Sequence, residues 1–365
     1  MRLRRFFAIF AAILMLAAAG LAQTLPQGVQ KVTSIEGVTE YAFSNGLHVL
    51  LCPDNSKPKI TVNVVYLVGS RNEGYGETGM AHLLEHMVFK STKSGREVFK
   101  ELTERAGGFF NGTTSYDQTM YFETFNASDD NLQWALGLEA DRMVDMTMLK
   151  KDLDTEMTVV RNEMEMGENS PVNILNQRVM AAAYNFHNYG KSVIGNRTDV
   201  ERVPIENLAA FYHKYYQPDD AYLIIAGQFD EAKALGMVSQ TIGAIPRPQR
   251  TLLQPYTAEP TQEGERSVML RRVGNIQAIL AVYHIPAALH PDTAPLEVMA
   301  QVLGAPQTGR LYKALVDNNK AVSTLMRAED QHDPGVAEAF AQLKPDQSID
   351  DARQILLKTV EGLAN

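Results

Sequence analysis

The chain has 365 residues, 45% of them hydrophobic, a length and apolar content that suit two packed domains. Its formal charge of −9 makes it a poor partner for nucleic acid, whose phosphates are neutralised by Lys and Arg. Cys52 is the single cysteine, which excludes an internal disulfide and every multi-cysteine zinc or redox motif. It reads as a small buried apolar side chain in the strand around His48.

Arg2, Arg4 and Arg5 precede an apolar run from Phe6 to Leu16, and a small-residue stretch then ends at Ala22. That layout is a secretory signal peptide, and the apolar run is shorter than the ~20 residues of a membrane span. Residues 1–22 are therefore expected to be a cleaved signal, and the mature chain to be exported without a membrane span, most simply to a periplasm.

Residues 38–53 and 59–69 read as strands, the second rich in β-branched side chains. A loop with Gly74, Gly76 and Gly79 follows, then a helix to about Phe89 and another from about Ser94 to Ala106. Gly107 and Gly108 break that helix, and residues 109–125 read as a hairpin turning near Tyr116. Helices are predicted over 129–145 and 150–168, the latter stopped at Pro171, and Tyr222 to Gly227 reads as an apolar strand. The stretch 246–265 carries Pro246, Pro248, Pro255 and Pro260 and reads as an extended linker. It divides a first domain, 23–245, from a second, 266–365. A helical pattern at Ala352, Ile355, Leu356 and Val360 runs almost to the last residue, so the second domain is expected to be incomplete. Strands and helices mix without a βαβ rhythm, which argues for an α+β fold with a largely antiparallel sheet. No phosphate-binding loop is present.

The informative segment runs from Gly79 to Phe89. His82 and His86 are one helical turn apart and share a face, so two imidazoles can meet one metal ion. Glu85 lies beside them, within reach of a water in the open position of such an ion. Leu83, Leu84, Met87 and Val88 cover the other faces and imply burial, where unpaired polar groups are costly. The bland alternative is a pair of core histidines with ordinary hydrogen bonds, but H-x-x-E-H is the inverted zinc-peptidase pattern. A third ligand must come from elsewhere. On the helix at 150–168, Glu156 and Glu163 are two turns apart and border the apolar stripe of Met157, Val160 and Met164. The residues alone leave Glu163 open between a ligand and part of a solvated acidic face with Asp152, Asp154, Glu165 and Glu168.

From Val38 onward the chain resembles the pitrilysin/insulinase family of zinc metallopeptidases, which includes the mitochondrial processing peptidases. The resemblance is carried by Val68-Gly69-Ser70-Arg71-Asn72-Glu73, by His82-Leu83-Leu84-Glu85-His86, by Gly107-Gly108 with Asn111-Gly112-Thr113-Thr114, and by Val160-Arg161-Asn162-Glu163. The family's metal-binding glutamate follows the second histidine after 76 residues, the spacing between His86 and Glu163 here.

That resemblance implies two homologous domains, each a mixed and largely antiparallel sheet with helices on one face. It implies one zinc ion in the catalytic domain, held by His82, His86 and Glu163 with the fourth position open. Glu85 is then the general base of peptide hydrolysis and Glu156 the supporting catalytic carboxylate. Extended peptide substrates would pair with an edge strand at Phe109, Phe110, Asn111, Gly112 and Thr113, with Phe89 lining the pocket. The second domain lacks H-x-x-E-H, so it is expected to be the inactive half, with His284 and His290 at the surface. Active relatives carry a substrate-contacting Arg and Tyr where this chain has Val316 and Ser323. A partner subunit or further sequence is therefore expected to complete the substrate clamp. The competing readings are a non-catalytic subunit of the same fold, a purely structural zinc site, and a hydrolase of non-peptide amides.

Overall fold

The computed structural model describes residues 25–364 apart from 254 and 256; the expected signal segment lies outside the described residues. The first half contains β1 (Val29–Ile35), β2 (Val38–Phe43), β3 (His48–Pro53), β4 (Lys59–Tyr66), α1 (Met80–Met87), α2 (Val98–Ala106), β5 (Phe110–Thr114) and β6 (Thr119–Asn126). It continues through α3 (Asp129–Val144), α4 (Lys150–Asn169), α5 (Pro171–Ala183), α6 (Arg197–Val200), α7 (Ile205–Tyr215), β7 (Ala221–Gly227) and α8 (Glu231–Gln240). The second half holds β8 (Gln277–His284), α9 (Thr293–Gly304), β9 (Ala321–Ala328), β10 (Val336–Leu343) and α10 (Ile349–Glu361).

The first seven strands form one sheet in the order β1-β2-β3-β7-β4-β6-β5. All neighbours are antiparallel except β3 and β7, where Leu50 lies opposite Ile224 in a parallel pair. Alternation explains the layering. In β4, Ile60, Val62, Val64 and Tyr66 are buried toward the helices, while Thr61, Asn63 and Val65 on the other face are half-buried. Residues 38–53 form a hairpin rather than one strand, because Gly46 turns the chain at φ 98°, a left-handed conformation that favours glycine. A Cβ at Gly46 would also collide with Asp219. Cys52 is half-buried rather than buried.

Local signals set the helix ends. The Ser128 hydroxyl accepts the Asn131 amide at the start of α3. Ser170 both ends α4 and caps α5, whose first residue is Pro171. Beneath the sheet a charged group is sealed in the core: Arg142 donates to Glu139 at 2.6 Å, and its guanidinium lies 4.3 Å from the Tyr121 ring centre and 4.8 Å from that of Phe89.

The smaller sheet runs β8-β10-β9 and is backed by α9 and α10 around Leu303, Leu315 and Leu356. The stretch between the halves is extended and pinned to the first half. Glu259 accepts the amides of Asn185, Phe186 and His187 at 2.6, 2.9 and 3.1 Å, and Arg250 pairs with Asp219 at 2.8 Å. The loop between β9 and β10 also docks on the first half. Asp333 pairs with Arg71 at 3.2 Å and with His187 at 3.1 Å, and Tyr184 donates to the Pro334 carbonyl. Among the described residues no helix is long and apolar enough to cross a membrane.

Candidate metal centre

Helix α1 buries Met80, Ala81, Leu83, Leu84 and Met87, so its remaining stripe of His82, Glu85 and His86 is the half-exposed one. Helix α4 buries Val160 and Met164 and packs against α1, which turns Glu156 and Glu163 toward the two histidines. Ligand atoms of His82, His86 and Glu163 all lie within 4.8 Å of one another. Glu163 Oε2 is 3.6 Å from His82 Nε2 and 3.5 Å from His86 Nε2. Ligands bound about 2.0–2.1 Å from a tetrahedral zinc ion stand about 3.4 Å apart, so the trio is spaced for that ion.

The electrostatics agree with a ligand role. Burial, reinforced by the neighbouring His86, pushes the His82 imidazole down to about 4, so at neutral pH it keeps a free lone pair. Burial works against charge on His86 as well, but hydrogen bonding to Glu156 and the charges of Glu163, Glu85 and Glu156 raise it overall. His86 Nδ1 meets Glu156 Oε2 at 3.1 Å, which leaves Nε2 facing Glu163. The other Glu156 oxygen pairs with Lys90, and the hydrogen bond from His86 holds this carboxyl below its usual range despite burial. Glu85 does not join the ligand trio. Its Oε2 accepts the Thr114 hydroxyl at 2.6 Å, while burial raises its affinity for a proton.

Strand β5 is the free edge of the large sheet and passes over Glu85. Gly112 sits so close that a Cβ there would lie 3.0 Å from Glu85 Cγ and 3.1 Å from Phe89. Asn111 and Thr113 point outward and are exposed, as is Phe109 just before the strand. Phe89 and Phe110 are half-buried and pack together beneath the strand, with ring centres 6.2 Å apart. A cavity of about 550 Å³ opens beside Glu163, between α4, α5 and the loop 190–197, with Tyr116 and Asn176 on its wall. In the second half, Val316 packs on the small core, whereas Ser323 is exposed on β9. His284 and His290 are both exposed.

Residues 48–197 match the family described as insulinase (peptidase family M16), and residues 202–365 match the peptidase M16 inactive domain. The chain belongs to the insulinase family of peptidases. It is 32% identical over 286 residues to the zinc protease PqqE of Helicobacter pylori, covering 77% of this chain and 64% of that protein. The crystal structure of a protease from Helicobacter pylori superposes with a TM-score of 0.83 at 28% identity, over 92% of this chain and 79% of that one. The periplasmic protease PqqL from Escherichia coli shares the fold, with a TM-score of 0.70 at 22% identity, over 90% of this chain and 38% of that one. The chain thus spans just under two thirds of the length of its Helicobacter pylori relative. The family to which the chain belongs includes proteins named zinc proteases, and the chain's α+β architecture of two family domains is that of its structural neighbours.

Some of the site was invisible in the linear sequence. Thr114 stands in a recognisable stretch and Lys90 just past the histidine motif, yet no spacing ties either to the site, and each matters through the partner that the fold gives it. Glu73 sits in a recognisable stretch, yet nothing in its spacing points to helix α1. The cavity beside Glu163 is built from α4, α5 and a loop, and no periodicity announces it.

Proposed function

We propose that this chain is a zinc metalloendopeptidase acting on extended or unfolded peptides. One observation supports the reading above all others: His82, His86 and Glu163 offer converging ligand atoms, and Glu85 stands beside them without joining them. His82, His86 and Glu163 hold a single ion. When bound, zinc supplies a Lewis acid that acidifies a water and polarises the scissile carbonyl. Glu85 takes a proton from the attacking water and passes it to the leaving amine. Glu156 fixes the His86 ring through Nδ1, and that hydrogen bond, with Lys90 on the other oxygen, keeps the Glu156 carboxylate charged.

The substrate lies along β5. Its free edge offers backbone donors and acceptors to an extended peptide, and Gly112 lets the two chains approach Glu85. Phe109, Asn111 and Thr113 flank the bound segment, while Phe89 and Phe110 support the strand from below. Backbone pairing reads little side-chain identity, so broad specificity follows. Residues 23–245 form the catalytic domain, 246–265 the linker and 266–365 the inactive half. With Val316 and Ser323 in place of a charged and a phenolic group, a partner subunit or further sequence completes the clamp. The leader at 1–22 exports the chain, with the periplasm as its destination.

The test is cleavage of an unstructured fluorogenic peptide by purified protein, with and without a zinc chelator, beside the variant Glu85→Gln. Chelator-sensitive turnover that vanishes in a zinc-loaded Glu85→Gln variant is expected. Undiminished turnover by the variant, or turnover that survives removal of zinc, refutes the reading; a zinc-loaded wild type that cleaves no peptide assigns the missing activity to the partner or further sequence that completes the clamp.

A further inference from the structure

The loop between β4 and α1 contains a buried carboxylate with no place in the chemistry above. Glu73 is only 6% exposed. Its Oε2 accepts the Gly79 amide at 3.0 Å and its Oε1 the Ala81 amide at 2.9 Å. These amides belong to the first turn of α1, where backbone donors have no partner within the helix. The helix needs such a partner, because its N-cap is Gly79, which has no side chain and sits at φ 88°. Nor can Glu77 serve, since its carboxylate is engaged with the Gly74 amide at 2.9 Å. A carboxylate at this end also complements the helix dipole.

We infer that Glu73 is a positioning residue for the metal centre, setting where α1 begins and hence where His82 and His86 stand relative to Glu163. The inference rests on the zinc reading above. Its reach is short: Ala81 is chain-adjacent to His82, and only eight residues make up the helix. Glu73 is itself firmly held. Asn188 donates to the Arg71 and Glu73 carbonyls at 2.8 and 2.9 Å, and Arg71 pairs with Asp117 at 3.0 Å and with Asp333 at 3.2 Å. The opposite side of the helix start is closed as well, since a Cβ at Gly79 would meet the Ile194 carbonyl at 2.6 Å. A carboxylate fixed on a rigid loop can therefore index the helix along its own axis. Glu163 is on a different helix, so a slide of α1 changes both histidine-to-carboxylate distances together.

The variants Glu73→Gln and Glu73→Asp separate indexing from simple support. Glutamine keeps the length but presents an NH₂ group to one of the two amides. Aspartate keeps the charge but shortens the reach. Zinc affinity, measured by competition with a chromogenic chelator, is expected to fall about 10–100-fold in the glutamine variant, the range for groups that orient metal ligands. The aspartate variant should lie between it and wild type, weaker than wild type by several-fold. The visible spectrum of the cobalt-substituted protein should shift in the same order, and kcat at saturating zinc should fall with KM unchanged.

A purely structural cap would lower only the melting temperature of the zinc-free protein. Wild-type zinc affinity and cobalt spectrum in a folded variant overturn the inference. If the glutamine variant does not fold, the aspartate variant is judged by the same two readouts. Zinc affinity and the cobalt spectrum do not depend on turnover, so a wild type that binds zinc but cleaves no peptide bears on the peptidase reading and its clamp and leaves this inference to be judged by the same two readouts.

Discussion

Replacing Gly112 with alanine adds one methyl group at the narrowest point between the edge strand and Glu85. Gly112 lies within β5, so the obstacle is steric rather than conformational. The new carbon would stand 3.0 Å from Glu85 Cγ, 3.1 Å from Glu85 Oε1 and 3.1 Å from Phe89 Cε2. Comfortable carbon contacts are about 3.5–4.0 Å, so the neighbours must give by a few tenths of an ångström. Phe89 cannot retreat easily, because Arg142 and Tyr121 pack against it. Relief must come from β5, which among the described residues pairs only with β6, or from the Glu85 side chain. Either movement displaces the carboxylate from its place beside the ligand trio. Overpacking of this kind costs about 1–3 kcal/mol of stability, and a catalytic group misplaced by about 1 Å costs about 100-fold in rate. We therefore expect kcat/KM on an unstructured peptide to fall by about 10–100-fold in Gly112→Ala. Zinc content should be unchanged, since Gly112 touches none of His82, His86 and Glu163. Glu104→Ala, on the exposed face of α2, is the control and should retain activity within about threefold, as a surface substitution outside the site. A folded, zinc-replete Gly112→Ala protein with wild-type kcat/KM would refute this account of strand and base.

Removal of the Glu156 carboxylate tests the ligand support. In Glu156→Ala the His86 ring loses its Nδ1 partner and Lys90 its carboxylate, so zinc affinity should drop about 10–100-fold with the melting temperature little changed. Equilibrium dialysis against a zinc buffer reads this directly, and unchanged affinity counts against the role given to Glu156. A second test concerns stability and pH. Burial raises the Asp220 carboxyl from 3.8 to about 7 in the folded chain, and one of its oxygens has no hydrogen-bond partner. The folded state thus keeps a proton that the unfolded state releases, so this contribution is complete below pH 3.8 and is lost as pH rises through about 7. Asp220→Asn should gain on wild type in urea unfolding between about pH 4 and pH 7, by at most about 4 kcal/mol at about 1.4 kcal/mol per pKa unit. A constant difference across that range would show that Asp220 is ionised when folded.

The local half of the site could be read from the chain because its geometry is local. Two histidines four residues apart share a face of any α-helix, and the leucines between them announce burial. The prolines at 246–265, which cannot donate to a ladder, fall in a stretch where no helix or strand is found among the described residues. Other parts were not. β1 is mostly exposed and carries little apolar alternation, so it gave no strand signal. Helix α5 follows a proline that ended one helix and began the next, and only its beginning was marked.

The sequence by itself determined the α+β class, the family, and which side chains of α1 and α4 face the same way. Helical periodicity and a recognisable motif need no knowledge of neighbours. Tertiary structure alone decided that Thr114 reaches Glu85, that Gly112 leaves room for it, and that Glu73 holds the start of α1. It also decided that Asp333, in the second half, grips the loop carrying Glu73. Those contacts join residues with no periodic relation along the chain, so only the packing of the sheet, the helices and the second half brings them together.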